Sequence, residues 1–139
     1  IMIESEQILK VIAEYFGFTY EELKNSPTKK LYNYPKQLAC HFMMALPDMT
    51  LKEVGNFLNV DHSTVHRSKR IVSDWLDVDV SVRKDVNAIH VILQQPNAYS
   101  ALKQIIGKIP PNEIGEFTIM VINNFENYKL NNKGTAETR

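Results

Sequence analysis

The stretch from Val60 to Val72, VDHSTVHRSKRIV, sets imidazoles, hydroxyls and cations close together along what reads as one helix. At about 100° per residue, Val65, Ser68, Val72, Trp75 and Leu76 gather on one side, which leaves Ser63, His66, Arg67 and Arg70 on the other. That outer arc holds no acid in its first turns. Donors and acceptors at the N-terminal end of such a helix suit base edges in a major groove, and cations further along suit phosphates. Asp74 returns to the arc and is placed to pair with Arg70, so the face is expected to fade beyond Arg70. The bland alternative is a solvated, charge-decorated helix packed by its inner side.

Other chemistries find less support. His62 and His66 are spaced as in HExxH, but no Glu stands between them and no third ligand is marked, so no metal is expected. Cys40 and His41 are adjacent on a helix and diverge, which favours a buried thiol beside a surface imidazole over a chelate. His62-Ser63-Thr64 has no GxSxG elbow or positioned acid, and the neighbouring Glu21 and Glu22 point apart. No GxxxxGK[ST] loop is present. The expectation is a protein that is not an enzyme, with no catalytic residue, no cofactor and no bound nucleotide.

The elements that must position these residues follow from composition and pattern. With 139 residues, 44% of them hydrophobic, the chain suffices for one ordinary core. Its 16 basic and 16 acidic residues cancel, which argues against a generic polyanion binder, yet they are unevenly spread. Residues 1–23 sum to −4, residues 24–72 to +5, residues 73–95 to −2 and residues 96–139 to +1. The positive segment contains the whole candidate face. Cys40 has no internal disulfide partner, no apolar run is long enough to span a bilayer, and the opening IMIESEQILK lacks a basic n-region and an apolar h-region. A soluble, cytoplasmic protein is expected, with no membrane contact.

Ile8, Val11, Ile12 and Tyr15 have amphipathic-helix spacing, and Gly17 supplies the left-handed residue that ends the helix. Thr19 with Glu22 forms a capping box for a short helix through about Asn25. NSPTKKLYNY reads as a basic loop, and Pro35 as the first residue of a helix whose Leu38, Ala39, Phe42, Ala45 and Leu46 share a face before Pro47 stops it. Thr50 with Glu53 is a second capping box, opening a helix with Leu51, Val54, Gly55 and Leu58 on one side. After a break around Asn59, Asp61 caps the helix running from His62 to about Trp75 or Leu76. Two capped helices joined by a tight turn read as a helix-turn-helix, with Gly55 permitting close approach. After DVDVSV a helix is expected over 83–94. Asn97 caps another through Lys108, and beyond Pro110-Pro111 a last one carries Ile114, Phe117, Val121, Phe125 and Tyr128. No strand alternation and no internal repeat occur, so the fold class expected is all-α.

PKQLACHFMMAL, TLKEVGNFL and DHSTVHRSKRI, in this order and spacing, resemble the C-terminal DNA-binding domain of DnaA, the bacterial chromosomal replication initiator. VIAEYFGFTYEELK at residues 11–24 is similar to the first helices of that family, and the resemblance covers roughly residues 5–93. It implies a compact helical domain with a helix-turn-helix of Trp-repressor-like type that binds double-stranded DNA. By the same resemblance, Asp61, His62, Ser63 and Thr64 fall on the DHTT positions that read bases. His66 and Arg70 lie on the same outer face, and Arg67 falls on a position that approaches the backbone. Lys36 and Gln37 match an Arg-Gln pair that nears the DNA, Lys52 stands where the family has a proline, and Lys29 and Lys30 lie in a loop that reaches into the minor groove. The chain departs from the pattern in a turn one residue shorter, NVDH for GGRDH, and in lysines for arginines, which lose the bidentate fork. An altered or looser site preference follows.

The organisation expected is a DnaA-like domain over 1–95, a helical extension over 96–130 and a disordered tail over 131–139. The module is expected to stand without the ATPase domain, as a replication-related or transcription-regulatory accessory of the kind a mobile element carries. The extension either pads the core or offers Ile114, Phe117, Val121 and Phe125 as a homodimer or partner surface. The alternative function is a helical protein-interaction module that has lost DNA binding.

Overall fold

The computed structural model describes residues 3–25 and 30–95, together with 97, 100, 104 and 111–114. Every element among them is helical, and the all-α expectation holds. Helix α1, Ser5–Phe16, buries Ile8, Leu9, Ile12, Ala13 and Tyr15. It ends at Gly17, whose φ of 82° lets the Phe18 amide turn back to the Ala13 carbonyl at 2.8 Å. Helix α2, Tyr20–Asn25, starts from the expected capping box: the Glu22 amide donates to Thr19 Oγ1 at 3.1 Å, and the Thr19 amide to Glu22 Oε1 at 3.4 Å.

Helix α3, Lys30–Met44, corrects one expectation. Residues 30–34 are helical and not loop, so Pro35 sits inside the helix, where its ring leaves the Leu31 carbonyl without its usual amide donor. Tertiary grip outweighs that cost. The Tyr32 ring meets Phe18 at 5.0 Å, and Tyr34 meets Phe16 at 5.5 Å and Trp75 at 5.9 Å. The packed face is also rotated from that expected: Met43 is buried and Ala45 exposed, beside the buried Leu38, Ala39 and Cys40. His41 is half-buried and edge-on to Phe42, not a surface imidazole.

Helices α4, Leu51–Leu58, and α5, His62–Val78, form the expected pair, with Val54, Gly55 and Leu58 of α4 and Val65, Ser68 and Val72 of α5 buried. Helix α6, Val80–Gln94, begins three residues earlier than expected. Asp79 serves both neighbours: its amide closes α5 onto the Trp75 carbonyl at 2.7 Å, and its carboxylate accepts from Ser81 at 2.9 Å and Val82 at 3.4 Å to open α6. DVDVSV is therefore a one-residue junction. Helix α3 packs against α1, α4 and α5, and α6 closes over α1 and α5, so one core runs through all of them. A short turn, Pro111–Ile114, lies against α1. Apart from it and the helical positions 97, 100 and 104, the expected helices over 97–108 and after Pro111, and the tail, lie outside the described residues.

Candidate nucleic-acid interface

The candidate face depends on how closely α4 and α5 approach. A Cβ built on Gly55 would fall 2.7 Å from the Val60 carbonyl oxygen and 3.4 Å from the His62 amide nitrogen. No side chain fits there, which is what the sequence pattern anticipated. Asn59 makes the turn at φ 58°, a left-handed conformation that asparagine tolerates better than most residues, and the Val60 amide then donates to the Gly55 carbonyl at 2.9 Å. The turn is complete with Asn59, Val60 and Asp61.

Asp61 is the N-cap of α5, accepting from the Ser63 amide at 3.3 Å and from the Ser63 hydroxyl at the same oxygen, Oδ2. Those two bonds hold its carboxyl below the usual range, the hydroxyl contributing most. Because the Ser63 proton is engaged inward, its lone pairs are what it presents to solvent. His62 Nδ1 lies 3.5 Å from Asp61 Oδ1, and both side chains are about two-thirds exposed, 67% and 65%. Ser63, His66, Arg67 and Arg70 are exposed, as the wheel predicts, and so is Lys69. Among the described residues no ion pair joins Asp74 to Arg70 within 4.0 Å, so Arg70 keeps its charge facing water.

The first turns of α5 stand as a ridge between two clefts. One, of about 460 Å³, is lined by Asn33, Lys36, Gln37, Asn59, Thr64 and Arg67 among others, with Cys40 and Ser68 at its inner wall. The other, of about 640 Å³, is lined by Thr50, Lys52, Asn56, Asp61 and His62. The fold thus brings Lys36, Gln37, Thr64 and Arg67 together on one flank and Lys52, Asp61 and His62 on the other. Lys30 is exposed at the start of α3; Lys29 lies outside the described residues. Sequence reasoning missed Asn33, which falls in the stretch read as loop, and Asn56 and Asn59, whose amides signal nothing until the turn is built.

Lys36 behaves differently from its expected part. Its Nζ reaches the Leu58 carbonyl at the end of α4, 3.5 Å away, and partial burial lowers its pKa. A cation there satisfies a terminal carbonyl and the negative end of the helix dipole. Burial likewise pushes the Cys40 thiol up to about 11, with Ser68 and Lys36 acting in the opposite direction, so it is an unreactive wall group.

With this geometry in hand, the comparisons with known proteins decide the family. Residues 5–72 match the family described as bacterial DnaA protein helix-turn-helix. That segment belongs to this family. Similar curated proteins are chromosomal replication initiator proteins DnaA. The one from Deinococcus radiodurans is 27% identical over 92 residues, 66% of this chain and 20% of its own length. The one from Desulfotalea psychrophila is 29% identical over 87 residues, 63% and 18% respectively. The one from Chloroflexus aggregans is 27% identical over 93 residues, 66% and 20%. The chain spans about a fifth of the length of the DnaA proteins it matches. The DnaA-type segment runs from α1 into α5 and ends at Val72, so it takes in the capped pair, the three-residue turn and all of the ridge.

Proposed function

We propose that the DnaA-type domain binds double-stranded DNA with the first turns of α5 in the major groove, in the cytoplasm where the chromosome lies. The observation that carries this is the exposed ridge flanked by two donor-lined clefts. A major groove is about 12 Å wide and admits one helix, with a phosphate backbone on each side of it. On this reading His62, Ser63 and Thr64 face base edges, with Asp61 fixing Ser63 as an acceptor, and His66 lies at the edge of the contact. Arg67 and Gln37 meet one backbone and Lys52 the other, Arg70 lies further along, and the minor-groove contact is assigned to Lys29 and Lys30. Lys36 holds the end of α4 and contributes its charge from behind. The role proposed is that of a replication-related or regulatory accessory, with residues 1–95 as the binding unit.

The test is fluorescence anisotropy on random duplex and on duplex selected from a random pool, at several salt concentrations. His62→Ala or Thr64→Ala is expected to erode discrimination by about 1–3 kcal/mol per lost base contact while leaving random-duplex binding nearly intact. Arg67→Ala is expected to weaken every duplex and to reduce the slope of log K against log salt by about 0.9. Failure to bind any duplex at low salt would refute the reading and favour a protein-interaction module.

A further inference from the structure

A third cleft lies at the other end of α5, away from the ridge. It measures about 660 Å³ and is formed where the C-terminal half of α3, the end of α5 and the first turns of α6 meet. Its floor is apolar, with Phe42, Leu76, Val80 and Val86, while Arg83, Lys84, His41 and His90 stand around it, and among the described residues that line it there is no carboxylate. Val80 is 54% exposed and the adjacent Val78 is 78% exposed. An apolar trough with the cations Arg83 and Lys84 on its rim is complementary to an amphipathic segment bearing carboxylates. Asp77 and Asp79, at the junction of the two helices, do not line it; Asp79 is turned to the α6 amides.

This chain contains a sequence of that chemistry. Between Pro111 and Tyr128 there are three glutamates, Glu113, Glu116 and Glu126, and no lysine or arginine, while Phe117, Val121 and Phe125 recur at helical spacing. We propose that the cleft receives the 115–128 segment of a second copy, with the exposed Glu113 at its near edge while the turn Pro111–Ile114 stays on its own α1, so that two chains pair reciprocally, each segment in the other's cleft. The contact uses the far end of α5 and leaves both ridges open. Self-pairing of this kind presents two identical faces, as two-fold assemblies do.

The inference does not depend on DNA binding, and its test is self-association of the full chain alone, by sedimentation over a range of concentrations. Lys84→Glu with His90→Glu reverses the rim. Arg83 is left in place because its Nη1 donates to the Leu76 and Asp77 carbonyls at the end of α5, 3.3 and 3.4 Å away. Glu113→Lys, Glu116→Lys and Glu126→Lys together reverse the segment. The wild-type chain is expected to pair reversibly, each reversed chain alone to pair at least about tenfold more weakly, and an equimolar mixture of the two to recover, because each then meets its opposite charge. Helicity by circular dichroism verifies folding, and Val80→Asn, which alters only the floor, is expected to weaken pairing as well. A chain that stays monomeric at every concentration overturns the proposal. So does pairing indifferent to both reversals, or loss in both without recovery on mixing.

Discussion

At the scale of single residues, Asp85 ties three helices together. Its two carboxylate oxygens accept from Tyr15 of α1 at 2.8 Å and from Tyr34 of α3 at 2.7 Å. Tyr15 is 1% exposed, so its hydroxyl has no ready solvent substitute for that acceptor. Tyr34→Phe removes one charge-assisted bond and is expected to lower stability by about 1.5–3 kcal/mol. Asp85→Ala is expected to cost more, because it orphans both hydroxyls at once. Burial first, then Asp85, raises the pKa of both tyrosines above the usual value of about 10. The unfolded chain therefore loses these protons before the folded one does, and stability is full below a pH of about 10 and falls as pH rises beyond it. Urea melts at pH about 8 and about 11 check this: the drop expected for the native chain should shrink when both tyrosines are phenylalanine.

At the scale of elements, the local signals were legible and the long-range ones were not. The boxes Thr19 with Glu22 and Thr50 with Glu53, the Asp61 cap and the αL glycine Gly17 work through neighbours a few residues away, so spacing alone reveals them. The helical start at Lys30 is different, since it depends on rings contributed by Phe16, Phe18 and Trp75 from other elements. The same is true of the candidate site. That Lys36 matches a DNA-facing position can be read from the motif; that its ammonium turns to Leu58 cannot, because the partner lies 22 residues away. Gly55 is a case where opposing effects can be weighed. Replacing glycine by alanine inside a helix normally stabilises by about 1 kcal/mol. Here the methyl would meet the Val60 carbonyl at 2.7 Å, backbone that cannot swing aside. Overpacking of that kind costs about 1–3 kcal/mol, so Gly55→Ala is expected to lower the melting temperature. It should also disturb duplex binding more than its loss of stability alone would, because the displaced atoms belong to the turn that aims α5. Melting curves compared with anisotropy at a temperature where the variant is fully folded separate the two effects.

At the scale of the whole molecule, a neutral chain can still bind a polyanion if its cations are gathered on one side, and the salt dependence should report only those gathered. Lys30, Lys52, Arg67, Lys69 and Arg70 are exposed on or near the ridge, while the acids concentrated in residues 1–23 sit on α1, at its N-cap and on α2. No helix among the described residues is long and apolar enough to cross a membrane. If those five cations each displace one counterion, log K should fall with log salt at a slope of roughly −4.5, or a few hundred-fold between about 50 and 200 mM. A much steeper slope would mean that cations beyond the ridge engage the duplex, those around the α3–α6 cleft being next in line. If the chain pairs through that cleft, a duplex long enough for two ridges should give nearly twice the slope of one that fits a single ridge. Chains carrying Lys84→Glu with His90→Glu should then show the single-ridge slope on both lengths, which ties the electrostatics of one end of α5 to the assembly made at the other.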